Sequence, residues 1–62
     1  MTSYVVVGLN VSAGMITTIS RSLSKADAEE AARNAPARYF KHITILPPDG
    51  PPYQLRQSIT NL

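Results

Sequence analysis

A stripe of alanines on one predicted helix constrains the fold of this chain more than any other feature. Residues 22–35 predict a helix over about 25–34, with Ser24 as its N-cap and Pro36 blocking its continuation. Its alanines follow the spacing i, i+3, i+4 and i+7, so they share one side of the helix. They are Ala28, Ala31, Ala32 and Ala35. A stripe this thin can be buried only where the helix backbone lies close to a flat partner, which the β-rich flanking sequence supplies.

Three segments rich in β-branched residues predict the strands of that partner, over residues 4–11, 15–21 and 38–46. The first two form a hairpin around a three-residue loop, with Gly14 in the left-handed conformation. A right-handed crossover through the helix then predicts the strand order 2-1-3. The predicted fold class is therefore α+β. It is a small single-layer antiparallel three-stranded sheet (β-β-α-β) with one helix on one face and an extended proline-rich C-terminal arm.

The three-residue loop also predicts which side chains of the first strand face the helix. These are Val5, Val7, Leu9 and Val11, opposite residues 21, 19, 17 and 15, respectively. The opposite sheet face, with Tyr4, Val6 and Ile16, is then predicted to be uncovered, and an uncovered apolar face usually marks an interface.

The faces of the third strand are ambiguous from alternation alone. We favour Ile43 and Ile45 pointing inward, with Tyr39 covering the end of the helix. Phe40 is then predicted to be exposed.

After residue 46 the composition changes to a proline-rich segment with a turn at Asp49-Gly50. We therefore predict a β-β-α-β domain over residues 1–46, and a proline hinge and C-terminal arm over residues 47–62. The arm fits a strand through Tyr53, Leu55 and Ile59, or a short helix through Leu55, Ile59 and Leu62. In either form it is predicted to be ordered against a partner or a second copy.

Size and composition argue against several kinds of site. The 62 residues make one small domain, and the lack of cysteine excludes disulfides, thiolate metal sites and a cysteine nucleophile. The single histidine, His42, is interpreted as a half-buried structural residue. We expect no enzyme activity, no catalytic or metal-binding residues and no cofactor. The absence of a bilayer-length apolar run and of a signal peptide predicts a cytoplasmic protein, in the host cytoplasm if the chain is viral.

The charges are unevenly distributed, because three of the four acids lie on the helix whereas the sheet and tail are basic. Aromatic and basic side chains alternate at the start of the third strand, a composition found both at protein interfaces and on single-stranded nucleic-acid surfaces. The candidate partner-binding residues are Arg38, Tyr39, Phe40, Lys41 and Arg56. Ordinary packing, a protein-binding hot spot and nucleic-acid contact all remain open for this group.

The order of these features resembles small phage-encoded host-takeover inhibitors of the β-β-α-β type, which include the short podophage inhibitor of bacterial RNA polymerase. The matching parts are a hairpin strand, a capped helix with an alanine seam, a third strand and a proline-bearing tail. They occupy residues 15–21, 24–33, 39–46 and 47–48. The resemblance implies a stoichiometric inhibitor that docks on a host enzyme.

Two functions from different classes are therefore predicted. The first is a small non-enzymatic binding protein, encoded by a phage, that inhibits or modulates a host enzyme or defence complex by stoichiometric protein–protein interaction. It would use the free edges of the second and third strands for strand addition. The alternative is a nucleic-acid-binding accessory protein that uses the basic and aromatic third strand; a subunit completed by a catalytic partner is a third. The expected partners are a larger host protein, a second copy through the C-terminal arm, or nucleic acid, and not a membrane.

Overall fold

The computed structural model describes residues 3–55, which form three strands and one helix. In chain order these are β1 (Tyr4–Asn10), β2 (Met15–Ser22), α1 (Lys25–Asn34) and β3 (Phe40–Leu46). The sheet is antiparallel, in the order β2-β1-β3, and α1 packs against one of its faces. The predicted fold class, strand order and helix are confirmed.

The helix is capped as its sequence predicts. Ser24 has extended backbone angles, and its Oγ accepts a hydrogen bond of 3.1 Å from the amide of Asp27. At the other end Ala35 is already extended, with φ −65° and ψ 134°, because the proline that follows disfavours the helical conformation. Both ends of α1 are therefore set by local chemistry.

The alanine stripe of α1 lies on the sheet. Ala28 is fully buried, and Ala31 and Ala32 are partly buried against the same core. The centre of that core is formed by Val6 and Ile45, which have no exposed surface. The close approach predicted from the alanine spacing is thus confirmed.

The hairpin turns through four residues, 11–14, instead of the predicted three. Asn10 organises the turn, because its Oδ1 accepts from the amides two and three residues ahead and its carbonyl accepts from the amide of Gly14 at 2.7 Å. Gly14 has φ 71°, so its predicted left-handed conformation is confirmed. The longer turn pairs Asn10 with Met15 and Leu9 with Ile16, one residue away from the predicted register.

A β-bulge in β2 restores the predicted pairing farther from the turn. Val6 pairs with Ser20 and Val7 with Thr18, so Ile19 is an extra residue on β2. Ile19 packs against the core. Regular pairing would have placed Ile19 opposite Val7 and on the same face as Val7. The bulge instead puts Ile19 on the helix side.

The face of β1 that the sequence predicts to be open is the face that packs against α1. Val6 is fully buried and Tyr4 packs against the core, whereas Val5, Val7 and Leu9 lie on the opposite face. The prediction is wrong because it rests on a three-residue loop with unbroken pairing. The observed four-residue turn and the bulge after it give the predicted pairing of Val5 with Arg21 and Val6 with Ser20. The face that packs against α1 is nevertheless the one with Val6.

A second bulge lies in β3. The β1 residues on either side of Gly8 pair with Thr44 and Lys41, so His42 and Ile43 both lie opposite Gly8. His42 has φ 54°, the only positive φ at a residue other than glycine in the described part of the chain. Its side chain is exposed, so its interpretation as half-buried is wrong.

The bulge at His42 interrupts the alternation of β3 and decides which side chains point inward. Ile43 and Ile45 pack in the core, as predicted. Phe40 pairs with Asn10 and lies on the same face, where it is partly buried. Its predicted exposure is wrong. Regular alternation would have put Phe40 and Ile43 on different faces of the sheet, but the extra residue in the bulge puts both on the helix side. Tyr39 is predicted to cover the helix end; it is 50% exposed, and its carbonyl accepts from the amide of Val11 beside the hairpin turn.

Beyond β3 the chain turns at residues 48–50 and returns along the outer edge of that strand. The backbones of Tyr53 and Ile45 exchange two hydrogen bonds, of 3.1 and 2.8 Å. Leu55 packs against the core of its own chain, although the sequence predicts that only a partner or second copy buries it. We call residues 51–55 the strap. The rest of the predicted arm, residues 56–62, lies outside the described residues.

Candidate functional site: the open face of the sheet

The sheet face opposite α1 is not covered by any helix in residues 3–55. The strand register arranges nine of its side chains in three rows that run across β2, β1 and β3. The rows are Arg21-Val5-Leu46, Thr18-Val7-Thr44 and Ile16-Leu9-Lys41. We call this surface the open face.

Five aliphatic side chains cross the open face on a diagonal. Val5, Val7 and Leu9 follow the central strand, and Leu46 and Ile16 extend the line to two opposite corners. Ile16 is 69% exposed, and the other four are partly exposed. Scattered surface aliphatics need no explanation, but a contiguous group of this kind is typical of an interaction surface.

The charged residues of the open face are both cations. Arg21 and Lys41 occupy the two corners that the aliphatic diagonal leaves free, and both are exposed. The chain has four acids, of which three lie on α1 and the fourth, Asp49, lies in the turn after β3. The open face therefore combines an apolar centre with positive charge at two diagonal corners and no carboxylate.

The predicted partner-binding residues are separated by the fold. Arg38, Tyr39 and Lys41 are exposed at the end of the sheet beside the hairpin turn. Phe40 points to the opposite face and lines the helix side. Arg56 lies outside the described residues. The structure thus keeps three of the five at one end of the open face.

A tight turn positions the Arg38–Tyr39 pair. The carbonyl of Pro36 accepts from the amide of Tyr39 at 3.1 Å, and the carbonyl of Tyr39 accepts from the amide of Val11 at 3.0 Å. The guanidinium carbon of Arg38 lies 5.8 Å from the centre of the Tyr39 ring, within cation–π distance. Val11 and Met15 are also exposed, by 40% and 57%. We call Val11, Met15, Arg38 and Tyr39 the hairpin end; it adjoins the row Ile16-Leu9-Lys41 of the open face.

Three aliphatic residues of the open face, Val5, Val7 and Leu9, are ones that sequence reasoning assigned to the packed face. Alternation groups Val5, Val7 and Leu9 correctly on one face but does not say which face is packed. The usable signal was Gly8, which lies in the other set, because a glycine within a strand marks a position that neighbouring side chains approach closely. Its location identifies the packed face independently of the hairpin loop.

A groove of about 740 Å³ lies on the helix side of the sheet. Its walls come from the end of α1, from β3 and from the strap, and they combine small and large apolar side chains with Arg33 and His42. Within residues 3–55 no three His, Asp or Glu side chains are grouped so that they could hold a metal ion.

One titratable contact joins the strap to the helix. The hydroxyl of Tyr53 donates a hydrogen bond of 3.3 Å to Glu29 Oε2. Burial, and after it the negative charge of Glu29, raises the pKa of Tyr53 above its usual value of about 10. The phenol is therefore neutral at physiological pH, and the contact ties the returning chain to α1.

The fold and the open face together define a small α+β domain with one helix-covered and one uncovered sheet face. No family model, no curated protein and no solved structure matches this chain. The resemblance to phage-encoded inhibitors therefore stays a prediction. In the described residues, no helix combines the length and apolar character needed to cross a membrane.

Proposed function

We propose that this chain is a non-enzymatic binding protein that acts by occupying a surface of a larger protein. The observation that supports this proposal is the open face, where five aliphatic side chains lie together and no element within residues 3–55 covers them. In the phage setting implied by the resemblance, the partner is a host enzyme or defence complex that stoichiometric binding inhibits or modulates.

The size of the open face indicates how far the contact extends. Three strands spaced about 4.8 Å apart, with about 3.4 Å per residue along β1, give a surface of about 14 by 17 Å. A stable protein interface buries about 800 Å² on each partner. The open face is smaller than this, so the contact is expected to continue onto the hairpin end, through Val11 and Tyr39.

The free sheet edge offers a second mode of contact. β2 is an edge strand, and only β1 pairs with it in the described residues. The outer edge of β3 is already paired at Ile45 by Tyr53. Strand addition by a partner is therefore expected at β2, next to the Ile16 corner of the open face.

Site-specific photo-cross-linking tests the proposal. A benzophenone amino acid at Thr18, exposed in the middle row of the open face, is expected to form one major adduct with a larger protein of the host or source cell. The same group at Glu30, exposed on α1, serves as the control and is expected to give no such adduct. Equal labelling from both positions, or no adduct from Thr18, would contradict binding through the open face.

The Arg38–Tyr39 pair favours nucleic-acid binding as the second candidate function, since an aromatic ring and an adjacent cation can contact a base and a phosphate. Only part of the predicted surface is available for this, because Phe40 faces the helix side. Affinity for a single-stranded oligonucleotide would then fall steeply with salt, by about 0.7 log units per log unit of salt for each phosphate neutralised. An absence of binding at low salt would eliminate this candidate.

A further inference from the structure

We infer that the open face binds an amphipathic helix of a different protein, with carboxylates on both sides of its apolar stripe, and not a second copy of this chain. This inference rests on the proposed function, because it names the partner of the same surface. It follows from the positions of the two cations relative to the aliphatic diagonal.

The cation positions disfavour a symmetric dimer through the open face. In a face-to-face pair, the two-fold axis passes through the centre of the face. If the axis is parallel or perpendicular to the strands, Arg21 and Lys41 of one copy lie on Ile16 and Leu46 of the other. An axis along either diagonal lays a cation on a cation. In none of these four arrangements does a cation meet a carboxylate, because the open face contains none.

A foreign surface with carboxylates at the two cationic corners avoids these mismatches. Opposite charges across an interface favour the correct orientation and disfavour others. The required partner has a narrow apolar centre, to cover the diagonal, and negative charge on both sides of it, to meet Arg21 on one side and Lys41 on the other.

An amphipathic helix has these dimensions. The diagonal from Leu46 to Ile16 spans two strand spacings and four residues, about 17 Å. At about 1.5 Å per residue this equals a helix of about 11 residues, whose apolar stripe repeats at i, i+3, i+4 and i+7. The chain itself shows that a helix of this length fits its sheet, since the ten residues of α1 lie on the other face.

Helical peptides of about 14 residues provide the probes. Three stapled peptides share one leucine stripe and carry glutamate, glutamine or lysine on both flanks. Binding to the full-length protein is measured by fluorescence anisotropy, and the contacted residues are located by amide NMR shifts. The glutamate peptide is expected to bind about tenfold more tightly than the glutamine peptide, as two partly exposed ion pairs would allow. The lysine peptide is expected to bind most weakly.

Charge reversal on the protein assigns the effect to the two corners. The double variant Arg21→Glu, Lys41→Glu is expected to lose the preference for glutamate flanks and to favour the lysine peptide. Lys25→Glu, at the exposed start of α1, is the matched control and is expected to keep the original order.

Three results would overturn the inference. The first is equal affinity for the glutamate and glutamine peptides, and the second is amide shifts confined to α1 or to the β2 edge. The third is a concentration-dependent dimer in light scattering that Ile16→Glu abolishes, which would identify a second copy as the occupant. If the inference fails while the Thr18 adduct with a larger protein persists, the proposed function stands; if that adduct is absent, both fail.

Discussion

Ile19 occupies the space that Gly8 leaves by having no side chain: a Cβ built on Gly8 would lie 3.0 Å from Ile19 Cδ1. On its other side the same Cβ would lie 3.3 Å from Ile43 Cγ1 and 3.4 Å from Phe40 Cβ. Ile19 is placed there by the bulge in β2, and Phe40 by the bulge at His42. The two bulges and the glycine between them therefore form one arrangement that fills the helix side of the sheet.

Gly8→Ala is expected to destabilise the domain by about 1–3 kcal/mol, because the added methyl overpacks a filled site. The terminal methyl of Ile19 can rotate away, but Ile43 Cγ1, at 3.3 Å, must then also shift within the core. Equilibrium urea unfolding measures the change in the free energy of unfolding. Ile19→Val removes the closest atom, so the double variant is expected to lose less stability than the two single changes together.

Gly50→Ala is the control for this experiment. Its Cβ would lie 3.6 Å from Pro47 Cγ, an ordinary contact, and Gly50 does not have a positive φ. It is expected to change the free energy of unfolding by less than about 0.5 kcal/mol. If Gly8→Ala is as mild as Gly50→Ala, the packing described around Gly8 is incorrect.

His42 is expected to be a site where glycine stabilises the protein. A left-handed backbone costs a residue with a side chain about 1–2 kcal/mol. Glycine avoids this cost, but part of the gain is offset because glycine loses more conformational entropy on folding. His42→Gly should therefore raise the free energy of unfolding by about 0.5–1 kcal/mol, and His42→Val should lower it, because a β-branched residue tolerates φ 54° poorly. Lys41→Gly, at the neighbouring exposed position without a positive φ, should destabilise. A loss of stability in both glycine variants would contradict the strained backbone at His42.

The parts of the fold that follow from local chemistry could be predicted, and the parts that depend on bulges could not. Ser24, the alanine spacing and Pro36 define α1 because each acts within a few residues along the chain. The two bulges depend on contacts between strands, since Ile19 and Phe40 reach the helix side only when Gly8 leaves space for them. Each bulge inverts the alternation on one side of itself, so an alternation argument from the loop assigns the wrong face to β1.

The candidate site shows the same limit. Composition singles out Arg38, Tyr39 and Lys41 as candidates, and the structure places them together at one end of the sheet. The aliphatic diagonal could not be recognised, because which set of β1 residues is open depends on the register with β2 and β3. The positions of Arg21 and Lys41 at two corners of the open face likewise follow only from the pairing of the three strands.

Ala28→Leu is expected to destabilise the domain by about 1–3 kcal/mol or to displace α1, because Ala28 has no exposed surface and lies against Val6 and Ile45. Ala32→Leu is expected to be milder, since Ala32 borders the groove and its larger side chain has space there. Ala26→Leu, on the exposed side of α1, is the control. Thermal melting followed by circular dichroism compares the three. Equal melting temperatures for Ala28→Leu and Ala26→Leu would show that the alanine stripe is not the packed face.

The burial of Tyr53, together with its contact to Glu29, is expected to make stability fall at alkaline pH. The pKa of Tyr53 is raised in the folded state, so between about pH 10 and that raised value the folded protein holds a proton that the unfolded chain has lost. The contribution is complete below about pH 10 and is lost as the pH rises through the folded pKa. Tyr53→Phe should therefore lose less stability than the wild type between pH 9 and 11. Tyr39→Phe, at an exposed tyrosine, is the comparison; parallel curves for wild type and Tyr53→Phe would exclude the effect.

Removal of the strap is expected to weaken the fold without changing its topology. A chain that ends at residue 52 loses both backbone hydrogen bonds to Ile45 and the packing of Tyr53 and Leu55 on the core. With about 1 kcal/mol for each hydrogen bond and about 1–2 kcal/mol for the partly buried leucine, the free energy of unfolding should fall by about 3–4 kcal/mol. A chain that ends at residue 55 keeps all of these contacts and is the matched control. It also tests the predicted dimer through the C-terminal arm, because light scattering should show dissociation on removal of residues 56–62 if that segment joins two copies. A residue-52 truncation as stable as the residue-55 truncation would show that the strap does not belong to the folded domain.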